Sequence, residues 1–244
     1  MSTTSKKKRF VDVCLSPKLY PIYHREDTIV VVIDILRATS AMCAAFENGV
    51  GKIIPVASVE EAQKYKDDGY IVGAERNGIP LEGFDFGNSP ASYQNEKIVG
   101  KTIVMSTTNG TQAIDASKHA YKVVIGAFTN FSALCKWLKE QDKNVILLCS
   151  GWKYRFNLED SLFAGAVAEN LLSEKSAFKY GDGALAAQSL YATAKNNPQY
   201  FLKKSSHSER LSAMGLKSDI RYCLAMDKTN IIPILDGKYL VKMA

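Results

Sequence analysis

Residues 28–33 read Thr-Ile-Val-Val-Val-Ile, a β-branched run with no charge in it. A run of this kind leaves no face for water, so it fits a strand covered on both sides, as in a parallel sheet held between helices. Shorter apolar runs recur at 52–56, 70–73, 102–105, 122–125 and 145–148. Helical stretches lie between them: 39–47, ending at Gly49; one from the capping box Ser58-Val-Glu-Glu61 to about residue 68; then 109–117, 131–141, 158–172 and 183–195. Strands alternating with helices imply βαβ units. The expected fold class is α/β, a three-layer α/β/α arrangement around a mainly parallel or mixed central sheet. Residues 77–98 interrupt the rhythm with Gly78, Pro80, Gly83, Gly87 and Pro90, and a long loop inside a compact domain is usually functional. Residues 205–244 read as one or two helices, near 209–215 and 219–226, followed by a strand pair near 231–235 and 239–242. With no repeat and no linker, one domain over 1–244 is expected.

Charge narrows the partners. The chain has 31 Lys and Arg against 25 Asp and Glu, a formal +6. Four of the positive charges, Lys6, Lys7, Lys8 and Arg9, stand together in residues 1–9 with no acid among them, so the body is close to neutral. Residues 1–9 are expected to form a flexible basic arm. A nucleic-acid binder carries its basic stripe on the folded domain, and here both signs are interspersed. No apolar run approaches the roughly 18–20 residues that cross a bilayer, and residues 10–17 are too short and polar for a signal peptide. A cytoplasmic protein is expected, without nucleic-acid or membrane partners. The five cysteines, at 14, 43, 135, 149 and 223, show no Cys-x-x-Cys spacing, which argues for free thiols over a disulfide framework or a zinc site.

In open parallel sheets, ligands bind beyond the carboxyl ends of the strands. Those ends are polar here. The 28–33 run leads to Asp34, with Arg37, Thr39 and Ser40 next; the run near 72 leads to Glu75, Arg76, Asn77 and Gly78; the 102–105 run leads to Ser106-Thr-Thr-Asn-Gly-Thr111; the 145–148 run leads to Cys149, Ser150 and Gly151, then Arg155, Glu159 and Asp160.

Each group has two readings. Thr107, Thr108, Asn109, Gly110 and Thr111 open a helix, where free N–H groups and a positive dipole end suit phosphate; the alternative is an ordinary cap at Thr108 or Asn109. Arg37, Arg76 and Arg155 could fork onto phosphate or sulfonate oxygens, or be surface ion pairs. Asp34, Glu75, Asp85, Glu159 and Asp160 could serve a hard cation such as Mg²⁺, which takes one or two carboxylates and fills its other positions with water and phosphate oxygens. Against that, Asp34 could pair with Arg37, and Glu159 and Asp160 could be the acidic first turn of any helix. Cys149 could be a stabilised thiolate or an inert buried thiol. His24, His119 and His207 fall in no motif, and the fingerprints Gly-x-Gly-x-x-Gly, Gly-x4-Gly-Lys-Ser/Thr, Asp-x-Asp-x-Thr and Gly-x-Ser-x-Gly are all absent.

Five blocks in order, Val32-Ile-Asp-Ile-Leu-Arg-Ala-Thr-Ser40, Gly73-Ala-Glu-Arg-Asn-Gly78, Gly83-Phe-Asp-Phe-Gly-Asn-Ser-Pro90, Thr107-Thr-Asn-Gly-Thr111 and Cys149-Ser-Gly with Leu158-Glu-Asp160, resemble the ComB family, the 2-phosphosulfolactate phosphatases. The likeness covers roughly residues 28–170 and fades after about 200. It implies a magnesium-dependent acid phosphatase that converts 2-phosphosulfolactate to 3-sulfolactate and phosphate, a step toward coenzyme M. On that footing Mg²⁺ would be held by Asp34 with one or more of Glu75, Glu159 and Asp160. Arg37, Arg76, Asn77 and the 107–111 loop would grip phosphate, and Arg155 would meet the second anionic group. The attacking species would be water, Asp34 or Cys149, with Arg37 beside it. The expected partner is a small anionic phosphate ester, with a homodimer as the assembly entertained. Two rivals are a non-catalytic small-anion binding protein on the same site and a basic-armed RNA-associated protein.

Overall fold

The computed structural model describes residues 8–172 and 178–243. The first strand, β1 (Arg9–Cys14), was not expected. It is followed by the short α1 (Tyr20–Tyr23), β2 (Thr28–Ile33), α2 (Ala38–Glu47), β3 (Lys52–Val56), α3 (Val59–Asp67), β4 (Ile71–Arg76) and β5 (Ile79–Pro80). Then come β6 (Thr102–Ser106), α4 (Gly110–Ser117), β7 (Lys122–Gly126), α5 (Phe131–Glu140), β8 (Asn144–Cys149) and α6 (Leu158–Leu172). The rest is β9 (Phe178–Tyr180), α7 (Asp182–Ala194), α8 (Pro198–Leu202), α9 (Ser206–Ala213), α10 (Lys217–Cys223) and the hairpin β10 (Pro233–Asp236) and β11 (Tyr239–Lys242).

Among the described residues the strands form one mixed sheet in the order β5-β4-β6-β3-β11-β10-β7-β2-β8-β1-β9. One parallel group is β4-β6-β3 and the other is β7-β2-β8-β1-β9. The antiparallel β10–β11 hairpin bridges them through single residue pairs, Leu240 with Ile53 and Ile234 with Val124. Helices on both faces complete the α/β/α layering, as expected.

All six residues of β2 are buried. Its alternate side chains feed two cores, as the period of two demands. Ile29, Val31 and Ile33 pack with Val11, Val145, Leu147, Phe163 and Val167 on the α6 side. Val30 and Val32 pack with Met42, Val123, Ile125, Ile146 and Leu148 on the α2 side. The Ser58 cap holds, its Oγ accepting from Glu61 N at 3.1 Å.

Strand β1 runs parallel to β8 over Val11–Cys14 and to β9 over Arg9–Val11. Asp12 disguises it in the sequence. The Asp12 carboxylate accepts from Val13 N and Ala184 N, holding the start of α7, and Gly181 gives it room: a Cβ there would lie 2.1 Å from Asp12. Residues 1–7 of the expected arm lie outside the described residues, but Arg9 belongs to the fold. Its guanidinium donates to the carbonyls of Lys139 and Gln141 and lies 4.1 Å from the centre of the Phe178 ring.

The expected 77–98 loop is packed. Asn77 (φ 56°) and Gly78 (φ 86°) form the two-residue turn of the β4–β5 hairpin, both in the left-handed region that Asn-Gly favours. Tyr93 is buried further along, its hydroxyl donating to Gly87 O at 2.9 Å. Asp85, a metal candidate in the sequence, accepts from Lys66 Nζ at 2.7 Å and Val72 N at 2.9 Å, and so ties β4 to α3. All five cysteines are free and buried. No helix among the described residues is long and apolar enough to cross a membrane.

Candidate active site

The β2 chain leaves the sheet at Asp34 and turns directly into α2. Thr39 N donates to Asp34 O at 2.9 Å, while Asp34 N donates back to Thr39 Oγ1 at 3.2 Å. The Asp34 side chain, 6% exposed, accepts from the Ala38 amide and lies against Gly110, the first residue of α4. A Cβ on Gly110 would stand 2.7 Å from Ala38 Cβ and 3.0 Å from Asp34 Oδ2, so the close approach of these two strand ends needs glycine.

Asp160, in the first turn of α6, is completely buried and fully engaged. Its Oδ1 accepts from Ile35 N at 3.0 Å, and its Oδ2 accepts from Gly151 N at 3.1 Å and Asn157 Nδ2 at 2.8 Å. It therefore fastens the turns after β2 and β8 together. Glu159, next to it and 1% exposed, meets His207 Nδ1 through Oε1 at 2.6 Å and takes a longer 3.3 Å bond from Asn157 Nδ2.

These acids share one field. Burial pushes the Asp34 carboxyl up to about 7; His207 opposes the rise, and Glu75 and Glu159 add to it. Asp160 is likewise pushed up by burial and then by Asp34 and Glu159, against its hydrogen bonds. Ionising the cluster in the absence of a compensating cation is costly.

Glu75, at the end of β4 in the other parallel group, is 4% exposed and organises two loops. Oε2 accepts from Gly78 N at 2.6 Å and Oε1 from Thr108 N at 2.7 Å. Arg76 beside it donates to Ser106 Oγ at 3.2 Å, and Asn77 N donates to Thr108 Oγ1 at 3.1 Å, while the Asn77 side chain faces solvent. Thr107 and Thr111 bond each other reciprocally, amide to hydroxyl, at 3.2 and 3.1 Å. Asn109 stands at the cap position of α4 but does not cap it. Its Oδ1 accepts from Lys153 N at 3.0 Å, linking the phosphate-loop candidate to the turn after β8.

The structure thus brings Asp34, Glu75, Glu159, Asp160 and the 107–111 loop to one junction, and it revises several roles. Arg37 is not the partner of Asp34 and is not free to grip phosphate. Its Nη1 lies 2.6 Å from Asp219 Oδ2, with the two side chains 3% and 5% exposed, and its Nη2 donates to Gly78 O at 2.7 Å. Cys149 is fully buried, and burial with the nearby Asp160 holds its thiol well above the ordinary range, which favours the protonated form over a thiolate. Arg155 is exposed in the turn that its backbone makes with Trp152. Glu75 and Asp160 spend both oxygens on N–H donors, whereas Asp34 takes the Ala38 amide and the contacts of Glu159 fall on Oε1 alone, which leaves those two carboxylates with capacity for a cation.

Sequence reasoning missed the segment that covers this junction. In α9, His207 and Arg210 are three apart and share a face. His207 reaches Glu159 and packs on Trp152, ring centres 5.7 Å apart; Arg210 lies over the same indole at 3.8 Å. Asp219 of α10 joins Arg37 and also accepts from Ser89 Oγ at 2.9 Å. Only the charge and spacing of His207 and Arg210 offered a signal, and a short Ser-rich helix with those residues also reads as surface.

Among the described residues, no three His, Cys, Asp or Glu side chains form a ready-made metal cage. The donors at the junction nevertheless fit a hard cation that keeps water. Two buried oxygens, Ser150 Oγ and Asn157 Oδ1, lack a hydrogen-bond partner among the described residues, and both lie in the segment between β8 and α6 that leads to Glu159 and Asp160. Oxygen donors around two available carboxylates match Mg²⁺ better than a softer metal.

Comparison with known proteins agrees with the blocks and extends them. A family model described as "2-phosphosulpholactate phosphatase" matches residues 14–238, so the similarity includes α9 and α10. Proteins named "Probable 2-phosphosulfolactate phosphatase" from Thermotoga petrophila and Thermotoga maritima are each 40% identical over 233 residues, 95% of this chain and 98% of theirs. One of the same name from Clostridium novyi is 41% identical over 207 residues, 84% of this chain and 87% of its own.

Proposed function

The chain belongs to the 2-phosphosulfolactate phosphatase family, whose members are phosphoric monoester hydrolases, and from that premise we propose that it hydrolyses 2-phosphosulfolactate, or a related phosphorylated hydroxyacid, to 3-sulfolactate and phosphate with Mg²⁺ as cofactor. One observation carries the reading: buried Asp34 and Glu159 act on each other across one junction, beside the hydroxyl-rich entry to α4 and the unpartnered Ser150 Oγ and Asn157 Oδ1. A phosphate dianion and a divalent cation would each offset the other's cost of burial there.

Mg²⁺ would be held by Asp34 and Glu159, with Asn157 Oδ1 and Ser150 Oγ near, and would polarise the phosphoryl oxygens and neutralise developing charge. The chain's own groups do the rest. The dipole of α4 presents a positive end to phosphate, although its Thr107, Thr108 and Thr111 amides are already taken by side chains, and Arg76, braced on Ser106, adds a guanidinium at the same edge. Glu75 fixes the shape of both loops through Thr108 N and Gly78 N. Glu159 orients His207 through Nδ1, which keeps the other ring nitrogen for moving a proton between attacking water and the leaving alkoxide. Water is the attacking species on this reading: burial keeps the Cys149 thiol protonated, and Asp34 is assigned to the cation.

The test measures inorganic phosphate released from 2-phosphosulfolactate with Mg²⁺ or with EDTA. Release should need the metal and fall by at least about a hundredfold in Asp34→Asn. Full activity of Asp34→Asn sinks the assignment of that residue, and activity untouched by EDTA sinks the cofactor. Tight binding of the ester with no release by the unaltered protein would make the chain a small-anion binding protein on the same site.

A further inference from the structure

Arg210 is the unexplained cation of the site. Its guanidinium carbon lies over Trp152, 3.8 Å from the ring centre, and Trp152 is also packed on His207, the partner of Glu159. Glu159 and Glu75 both act on it electrostatically, so it faces the acidic junction. Yet its Nε and Nη2 atoms are buried and have no hydrogen-bond acceptor among the described residues. Those two N–H groups form one edge of the guanidinium plane, parallel donors with the spacing of two oxygens on one anion. A buried donor left unpaired is costly, and here two adjacent ones sit on a guanidinium held against an aromatic ring.

The helix that carries Arg210 is seated across the junction. Ser205 caps α9 by accepting from Ser208 N at 3.2 Å, and farther along it Leu211 approaches Gly78 of the β4–β5 turn, where a Cβ would meet Leu211 Cδ2 at 3.7 Å. Arg210 therefore stands between the Glu159 side and the Glu75 side, beside the phosphate-binding elements. Arg155, assigned the second anionic group from sequence, is exposed at the turn.

We propose that Arg210 is the specificity-determining residue of the site, its Nε–Nη2 edge receiving the non-phosphate oxyanion of the substrate, a carboxylate or a sulfonate. This deepens the proposed function and rests on it for the identity of the ester. A phosphomonoester without a second anion gains nothing from the fork, so selection against simple phosphate esters follows.

The experiment compares the unaltered protein with Arg210→Gln, Arg210→Lys and Arg155→Gln, each first checked for an unchanged Tm. Substrates are 2-phosphosulfolactate, 2-phospholactate (carboxylate but no sulfonate) and p-nitrophenyl phosphate (neither), all with Mg²⁺. Arg210→Gln should raise KM for 2-phosphosulfolactate roughly ten- to a hundredfold, with kcat changed less and p-nitrophenyl phosphate within about twofold. Arg210→Lys should recover only part, since a point charge cannot rebuild the fork. An equal loss on 2-phospholactate assigns the carboxylate; an unaffected 2-phospholactate assigns the sulfonate. Equal losses on all three esters, no loss on any, or a loss confined to Arg155→Gln overturn the proposal. A binding arm separates it from the hydrolase reading: calorimetry with 3-sulfolactate needs no turnover. Should the unaltered protein release no phosphate, the hydrolase reading fails. Arg210 then stands if 3-sulfolactate binds at least about tenfold more weakly to Arg210→Gln, and falls if both proteins bind it equally or neither binds it.

Discussion

The Arg37–Asp219 pair is the most heavily buried ion pair of the site region among the described residues, and replacing Asp219 by Asn puts a number on its role. The Nη1–Oδ2 distance is 2.6 Å and the side chains are 3% and 5% exposed. Arg37 keeps one neutral acceptor, Gly78 O, and Asp219 keeps one donor, Ser89 Oγ. Asp219→Asn leaves a guanidinium in the interior with its charge uncompensated, which costs about 3–5 kcal/mol. For a chain of this size that is roughly 6–20 °C in Tm. Thermal unfolding followed by circular dichroism reads it directly. The double variant Arg37→Met, Asp219→Leu removes both charges and should recover most of the loss, because a buried pair is worth little more than apolar residues of similar volume. It should also keep phosphate release if the Arg37 guanidinium, engaged by Asp219 and Gly78 O, serves the fold alone. A shift under about 2 °C for Asp219→Asn refutes the pairing argument. A well-folded double variant without activity would return Arg37 to the substrate.

Two other expectations concern chemistry and pH. Cys149→Ser should turn over within about twofold of the unaltered protein; a loss beyond about tenfold at unchanged Tm would put the thiol back into the reaction. Burial raises Asp34 from the ordinary 3.8 to about 7, so the folded protein holds a proton that the unfolded chain releases. That contribution to stability is full below about pH 4 and is lost as pH rises through about 7. Metal-free protein should therefore gain more Tm from added Mg²⁺ at pH 8 than at pH 5, where protons compete for the same carboxylate. Equal gains at the two pH values contradict this account.

The sheet was legible where burial wrote itself as an unbroken run, and most clearly in β2, whose two faces both sit in apolar cores. It was illegible in β1, where Asp12 interrupts the pattern to hold the start of α7, a contact 172 residues away in sequence. The same division runs through the site. Strand ends located Asp34, Glu75 and the 107–111 loop because position alone makes them polar there. Which charge meets which was not written locally. Arg37 lies three residues from Asp34 yet pairs with a residue 182 positions on, and Glu159 finds its histidine 48 positions on. The hydrogen bonds, once seen, divide four similar carboxylates by role. Glu75 and Asp160 give their oxygens to backbone and amide N–H groups and shape the loops. Asp34 and Glu159 keep capacity, and for that reason the cation is proposed there. α9 and α10 bring His207, Arg210 and Asp219 over a junction built by the first two-thirds of the chain, so the elements least legible as functional supply groups that the proposed site uses.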